Sequence, residues 1–157
     1  MTLQKDLLQG KYNEIKVITY LNKFLYALDW FKAYKNQYNR VDFSNEEIIG
    51  ELKTRNCNHD SYADTMFCSG KLFYYLNLNT TKDLKVYFLF KDGLYVWDYT
   101  DISQGEYTIR PYYHLEKELY LPYCYVKKEC LTLLTTDIAT NKEAMGFKDK
   151  EDHLIKV

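Results

Sequence analysis

Eight consecutive residues, Ile48-Ile49-Gly50-Glu51-Leu52-Lys53-Thr54-Arg55, constrain this chain more than any other stretch. Their branched apolar start reads as a strand. At the period of two that strands impose, Ile49, Glu51, Lys53 and Arg55 share one face, and Ile48, Gly50, Leu52 and Thr54 share the other. An acid, a lysine and an arginine on one face of a core-like strand pack poorly, because buried charge is costly unless it is paired or binds a metal. The stretch therefore points to a site.

The tripeptide alone is common in this chain. Glu14-Ile15-Lys16 and Asp83-Leu84-Lys85 have the same form as Glu51-Leu52-Lys53. The first falls in a helical pattern, where residues two apart do not face each other. The second follows the turn-like Asn79-Thr80-Thr81-Lys82, with no acidic strand before it. Only Glu51-Leu52-Lys53 follows a short strand candidate that carries an acid, Arg40-Val41-Asp42-Phe43. Asp42, Glu51 and Lys53 then form one group. The plainer alternative is a Glu51–Lys53 ion-pair face on an exposed sheet, with Asp42 as a turn residue before Ser44-Asn45-Glu46.

The flanking pattern predicts an α+β fold of a single domain, residues 1–139, with a polar tail at 140–157. Glu14, Val17, Ile18, Leu21, Phe24, Leu25 and Leu28 recur at spacings of three and four, which predicts a helix over 11–34. Glu14 opens that otherwise apolar stripe. It serves either as a first-turn acid complementing the helix dipole or as a further member of the acidic group. Asn56-Cys57-Asn58-His59-Asp60 reads as a polar loop. A second helix is expected over 61–78, with Ala63, Met66, Phe67, Gly70, Phe73 and Tyr74 as its buried stripe and Tyr62, Thr65 and Lys71 away from it.

Leu84–Phe90, nearly all apolar, has the character of a central strand covered on both faces. Lys91-Asp92-Gly93 is a hairpin signal leading into Leu94–Tyr99. Tyr107–Tyr113 and Tyr123–Val126 read as further strands, the first held at an edge or bulge by Pro111. Leu131–Ile138 is ambiguous.

With 21 basic and 22 acidic residues, nothing in the overall charge draws the chain to nucleic acid, so any such contact is a local patch. Cys57, Cys68, Cys124 and Cys130 lack metal-binding spacing and read as free thiols. The N-terminus lacks the apolar run of a signal peptide, and no run approaches a membrane span. A soluble cytoplasmic protein with no membrane partner is expected. The 17 tyrosines suit both a sheet core and a wet cleft, and they also fit an AT-rich genome such as that of a phage or other virus.

The order helix, strand with Asp42, strand with Glu51-Leu52-Lys53, helix, strand resembles the core of the PD-(D/E)xK nuclease superfamily over roughly residues 11–99. Val41 stands where that motif carries proline. The resemblance implies a restriction-endonuclease-like α-β-β-α-β-β core with a central mixed sheet flanked by helices. It implies a magnesium- or manganese-dependent endo- or exodeoxyribonuclease that hydrolyses DNA phosphodiesters. Asp42, Glu51 and the Leu52 carbonyl would hold the ion, and Glu14, in the place of a helical glutamate found in Holliday-junction resolvases, would act through water or on a second ion. Lys53 would orient or deprotonate water and stabilise charge. Arg55, Tyr62 and Lys71 would contact the nucleic acid, and likeness to junction resolvases implies a homodimer. The alternatives are a non-catalytic DNA-binding or assembly module on the same fold, and a small α+β protein-interaction module with tyrosines at its interface.

Overall fold

The computed structural model describes residues 3–25, 32–33 and 41–140. In chain order the elements are helix α1 (Leu3–Tyr20), β1 (Lys32–Ala33), β2 (Phe43–Ser44), β3 (Ile48–Thr54), β4 (Asp64–Cys68), helix α2 (Gly70–Asn77), β5 (Asp83–Phe90), β6 (Gly93–Asp98), β7 (Thr108–His114), β8 (Leu119–Lys127) and β9 (Thr132–Thr135). One π-helical turn, Leu21–Leu25, extends α1. The class is α+β. Among the described residues, no helix is long and apolar enough to cross a membrane.

Six strands form a mixed sheet in the order β1-β2-β3-β5-β6-β9. β3 and β5 run parallel, with Glu51 opposite Val86 and Lys53 opposite Phe88; the other pairings are antiparallel. The parallel pair requires a crossover, and the chain between β3 and β5 supplies β4 and α2. A second sheet, β4-β8-β7, is wholly antiparallel.

Alternation along β3 and β5 divides the interior into two layers. On one side Val17, Ile18 and Leu21 of α1 meet Phe43, Ile48, Tyr87, Leu89, Leu94 and Val96. On the other, Ile49, Val86, Phe88, Phe90 and Trp97 meet Leu72 and Tyr75 of α2, together with Phe67, Cys124 and Val126 of the second sheet. β5 is covered on both faces, as its continuous apolar run predicts: its residues from Val86 to Phe90 are all buried.

Several expectations are corrected. The helix foreseen over 61–78 is a loop, a strand and then a helix that begins only at Gly70. Ser69, at its N-cap, donates to the Pro122 carbonyl at 2.7 Å. Met66 and Phe67 fit a helical stripe by spacing, but they belong to β4, where Phe67 alone turns fully inward. The expected mixed central sheet is present, but a second sheet accompanies it, and the simple α-β-β-α-β-β order gains β4 before α2. The helix expected over 11–34 starts earlier, at Leu3, and Lys32–Ala33 is a strand; Leu28 lies outside the described residues. The strand expected at 40–43 is Phe43–Ser44, so Asp42 sits one residue before it.

Other expectations match the observed elements. Lys91-Asp92 closes the β5–β6 hairpin, with Phe90 opposite Gly93. β7 is the edge strand that Pro111 requires, and the ambiguous 131–138 stretch contains β9. The four cysteines are free thiols. Thr140 is tied down by its N–H to the Phe90 carbonyl at 2.8 Å; the rest of the expected tail, 141–157, lies outside the described residues.

Candidate functional site

Gly50 seats the site. A Cβ at this position would lie 2.3 Å from the Phe43 ring, so only glycine lets that ring lie flat on β3. Phe43 pairs with Gly50 across β2 and β3. Asp42, the residue before this pair, is anchored to β3 through both its backbone and its side chain. The Asp42 N–H donates to the Gly50 carbonyl at 3.2 Å. Its carboxylate Oδ2 accepts the Leu52 N–H at 2.7 Å, fixing the acid against β3. Asp42 is thus no free turn residue.

Glu51 is 2 % exposed, among the largest fully buried side chains of the protein. Its Oε1 lies 3.3 Å from the Lys53 ammonium and 3.5 Å from that of Lys71, which α2 brings over the same face. Its Oε2 is buried with no hydrogen-bond partner. An ion pair between Glu51 and Lys53 therefore exists, but it is not the exposed surface pair of the plainer alternative. An exposed pair leaves both oxygens at the surface; here Oε2 is buried without a donor, a costly state for a carboxylate.

The electrostatics follow from this burial. Burial, then the negative charge of Asp42, raises Glu51 to about 7, against the pull of Lys53 and Lys71. Glu14, carried in by α1, is also raised to about 7, again by burial first and Asp42 second, with Lys11 opposing. Asp42 is thus the shared neighbour of both glutamates. The structure gathers Glu14, Asp42, Glu51, Lys53 and Lys71 into one field of charge.

Arg55 and Tyr62 lie elsewhere. The Arg55 N–H continues the ladder beyond β3 by donating to the Leu89 carbonyl at 2.9 Å. Its buried guanidinium donates to the Thr54 carbonyl at 2.9 Å and to the Met66 carbonyl, strapping β3 to β4. Burial lowers its pKa, with Cys57 and Tyr123 acting the other way. Two of its donors thus go to backbone carbonyls. Tyr62 is on the loop before β4, not on a helix, and is 69 % exposed. Lys71 is on α2 as expected, but aims at Glu51 rather than outward.

A second group went unforeseen. Ligand atoms of His59, Asp60 and Asp92 all lie within 4.8 Å of one another, so these three side chains could hold a metal ion. His59 Nδ1 is 2.5 Å from Asp92 Oδ2 and 2.9 Å from the Tyr95 hydroxyl, and the His59 ring stacks on Tyr95. Hydrogen bonds from the His59 side chain and backbone lower the Asp92 pKa despite its burial. The sequence hides this group because 33 positions separate His59 from Asp92, and each taken alone reads as loop or turn.

Comparison with known proteins leaves this geometry to speak for itself. No family model, curated protein or solved structure matches the chain. The chemistry must be argued from the residues in place.

Burial first and the Asp42 charge second hold Glu14 and Glu51 well above the usual carboxylate range, and one buried Glu51 oxygen has no donor. Oxygen donors of this type fit a hard divalent ion. The His59 group mixes nitrogen and oxygen donors, which suits a borderline ion such as zinc better than magnesium.

Proposed function

We propose that the protein is a divalent-metal-dependent nuclease acting on DNA, with Asp42, Glu51 and Lys53 at its centre. The observation that carries this reading is the buried Glu51 carboxylate, with Oε1 shared by two lysines and Oε2 unpartnered beside Asp42. The order α1, Asp42 beside β2, Glu51-Leu52-Lys53 on β3, α2 and parallel β5 resembles the PD-(D/E)xK core, with β4 as an insertion.

Asp42 and Glu51 would hold magnesium or manganese, with Glu14 acting through water. The bound ion would supply Lewis-acid stabilisation of charge building on a phosphoryl oxygen, and activation of the attacking water. Lys53 is half-buried, and its ammonium is already held at Glu51. It can orient a water there and face the charge that develops on the phosphate. Lys71 brings a second ammonium from the other wall, so the negative charge of a phosphate meets cations on two elements. Asp42, fixed through Leu52 N–H, keeps its carboxylate from swinging away from Glu51.

The test is cleavage of linear, flapped and four-way DNA by purified protein with magnesium or manganese. Lys53→Ala should bind these DNAs in calcium about as well as wild type yet lose roughly 10²–10³ in rate. Were wild type to cut none of them, the enzyme reading would fall; were Lys53→Ala to cut normally, the lysine would be only an ion-pair partner.

A further inference from the structure

At the far end of β3 lies a cavity of about 410 Å³ between the β3–β4 loop and the second sheet. Arg55, Asn58, Tyr62, Thr65, Tyr112 and Tyr125 line it. Resting on the nuclease reading above, we propose that this cavity takes one unpaired nucleobase of a single-stranded nucleic acid whose backbone runs on to the carboxylate group.

Three features fit a flat π ligand rather than a compact apolar one. The walls are aromatic and open: Tyr62 is 69 % exposed, and Tyr112, which packs on the Tyr123 ring with centroids 5.1 Å apart, is still 42 % exposed. One face of Tyr125 is covered by the Arg110 guanidinium, 3.7 Å from the ring centroid, so the exposed rings of Tyr62 and Tyr112 are the ones that offer stacking surface. Between the rings stand the groups that read a base edge: an amide at Asn58, a hydroxyl at Thr65 and a guanidinium at Arg55. Two of the five donors of Arg55 go to backbone carbonyls, which fixes the fork while others remain for a ligand. The volume falls within the range of small-ligand sites.

Position connects this cavity to the chemistry. Arg55 shares its strand face with Lys53 and Glu51, and at roughly 3.3 Å per residue the four steps from Glu51 to Arg55 span about 13 Å. A strand held by its base at Tyr62 and Tyr112 would therefore lay its backbone along Lys53 toward Asp42 and Glu51. Stacking of this kind tolerates any base, because every base has a π face.

The experiment is fluorescence anisotropy with labelled oligothymidylate in EDTA, where no cleavage occurs, alongside a backbone-matched abasic oligomer. Wild type should bind oligothymidylate about ten-fold or more tightly than the abasic strand. Tyr62→Ala and Tyr112→Ala, both at exposed rings, should bring oligothymidylate down toward the abasic level and leave abasic binding unchanged. Tyr112→Phe should restore the difference. Equal binding of both oligomers by wild type, no binding of either, or no effect of both alanine variants would each overturn the proposal. Base-dependent binding without cleavage in magnesium or manganese would leave the pocket standing and remove the nuclease. Cleavage with base-independent binding would do the reverse.

Discussion

Glu51 decides most of what this protein can do, because it is an acid buried where its ionised form is poorly supported. Held near 7 in the folded chain against an ordinary value of 4.5, it binds its proton more tightly folded than unfolded. Its contribution to stability is therefore fully present below about pH 4.5 and is lost as the pH rises through about 7. The shift corresponds to something on the order of 3 kcal/mol, a large share of a small domain's net stability. In EDTA, wild type should therefore melt lower at pH 8 than at pH 5. Glu51→Gln, neutral and isosteric, should melt higher than wild type at pH 8 and flatten part of that fall, Glu14 carrying the remainder. Thermal denaturation across this range is the check; an unchanged pH dependence in the variant would mean that Glu51 is not the group responsible. Glu14 should add to the same window, since Asp42 and burial raise it too.

At the scale of elements, the site depends on a small residue in the middle of a strand. Gly50 lets the Phe43 ring rest on β3 and on Tyr87, whose centroid is 5.6 Å away. That packing sets the β2–β3 register, which leaves Asp42 bonded to the Gly50 carbonyl and the Leu52 N–H next to Glu51. Gly50→Ala should displace β2, cost roughly 1–3 kcal/mol as an overpacked core does, and weaken any metal response along with stability. Urea unfolding of the variant would test this, and wild-type stability with an intact metal response would show that the ring can move aside. The strand containing Glu51 was legible because its chemistry is local: alternation put Glu51 and Lys53 on one face, and an acid preceded it at a strand's distance. β4 was not legible. Asp64–Cys68 gains its strand character from β8, with Thr65 opposite Val126 and Phe67 opposite Cys124, and pairing across some sixty residues leaves no local trace. Within its own window, Met66 and Phe67 followed by Gly70, Phe73 and Tyr74 satisfy a helical spacing equally well. The tie from Arg55 to β4 was hidden for a related reason. The Arg55 guanidinium serves a neighbouring strand that the sequence did not reveal.

For the whole molecule, two separate groups can compete for ions, and their donors predict different preferences. On the proposed reading, Asp42 and Glu51 offer oxygen alone, in a setting where burial first and the Asp42 charge second raise Glu51 and Glu14, and a divalent charge would offset both. His59, Asp60 and Asp92 sit on loops outside that field, with one nitrogen donor and with Asp92 already hydrogen-bonded to His59. Magnesium should therefore stabilise the fold through the first group. At a hundred times its dissociation constant, a ligand that binds only the folded state adds about 2.7 kcal/mol. For a domain of this size that is a rise in melting temperature of roughly 5–10 °C. The rise should disappear in Asp42→Asn and in Glu51→Gln and persist in His59→Ala. Zinc should show the opposite dependence, with its effect reduced in His59→Ala and retained in Asp42→Asn. A magnesium response lost in His59→Ala but kept in both carboxylate variants would move the metal centre to the β3–β4 loop, and Lys53 would then face no ion at all.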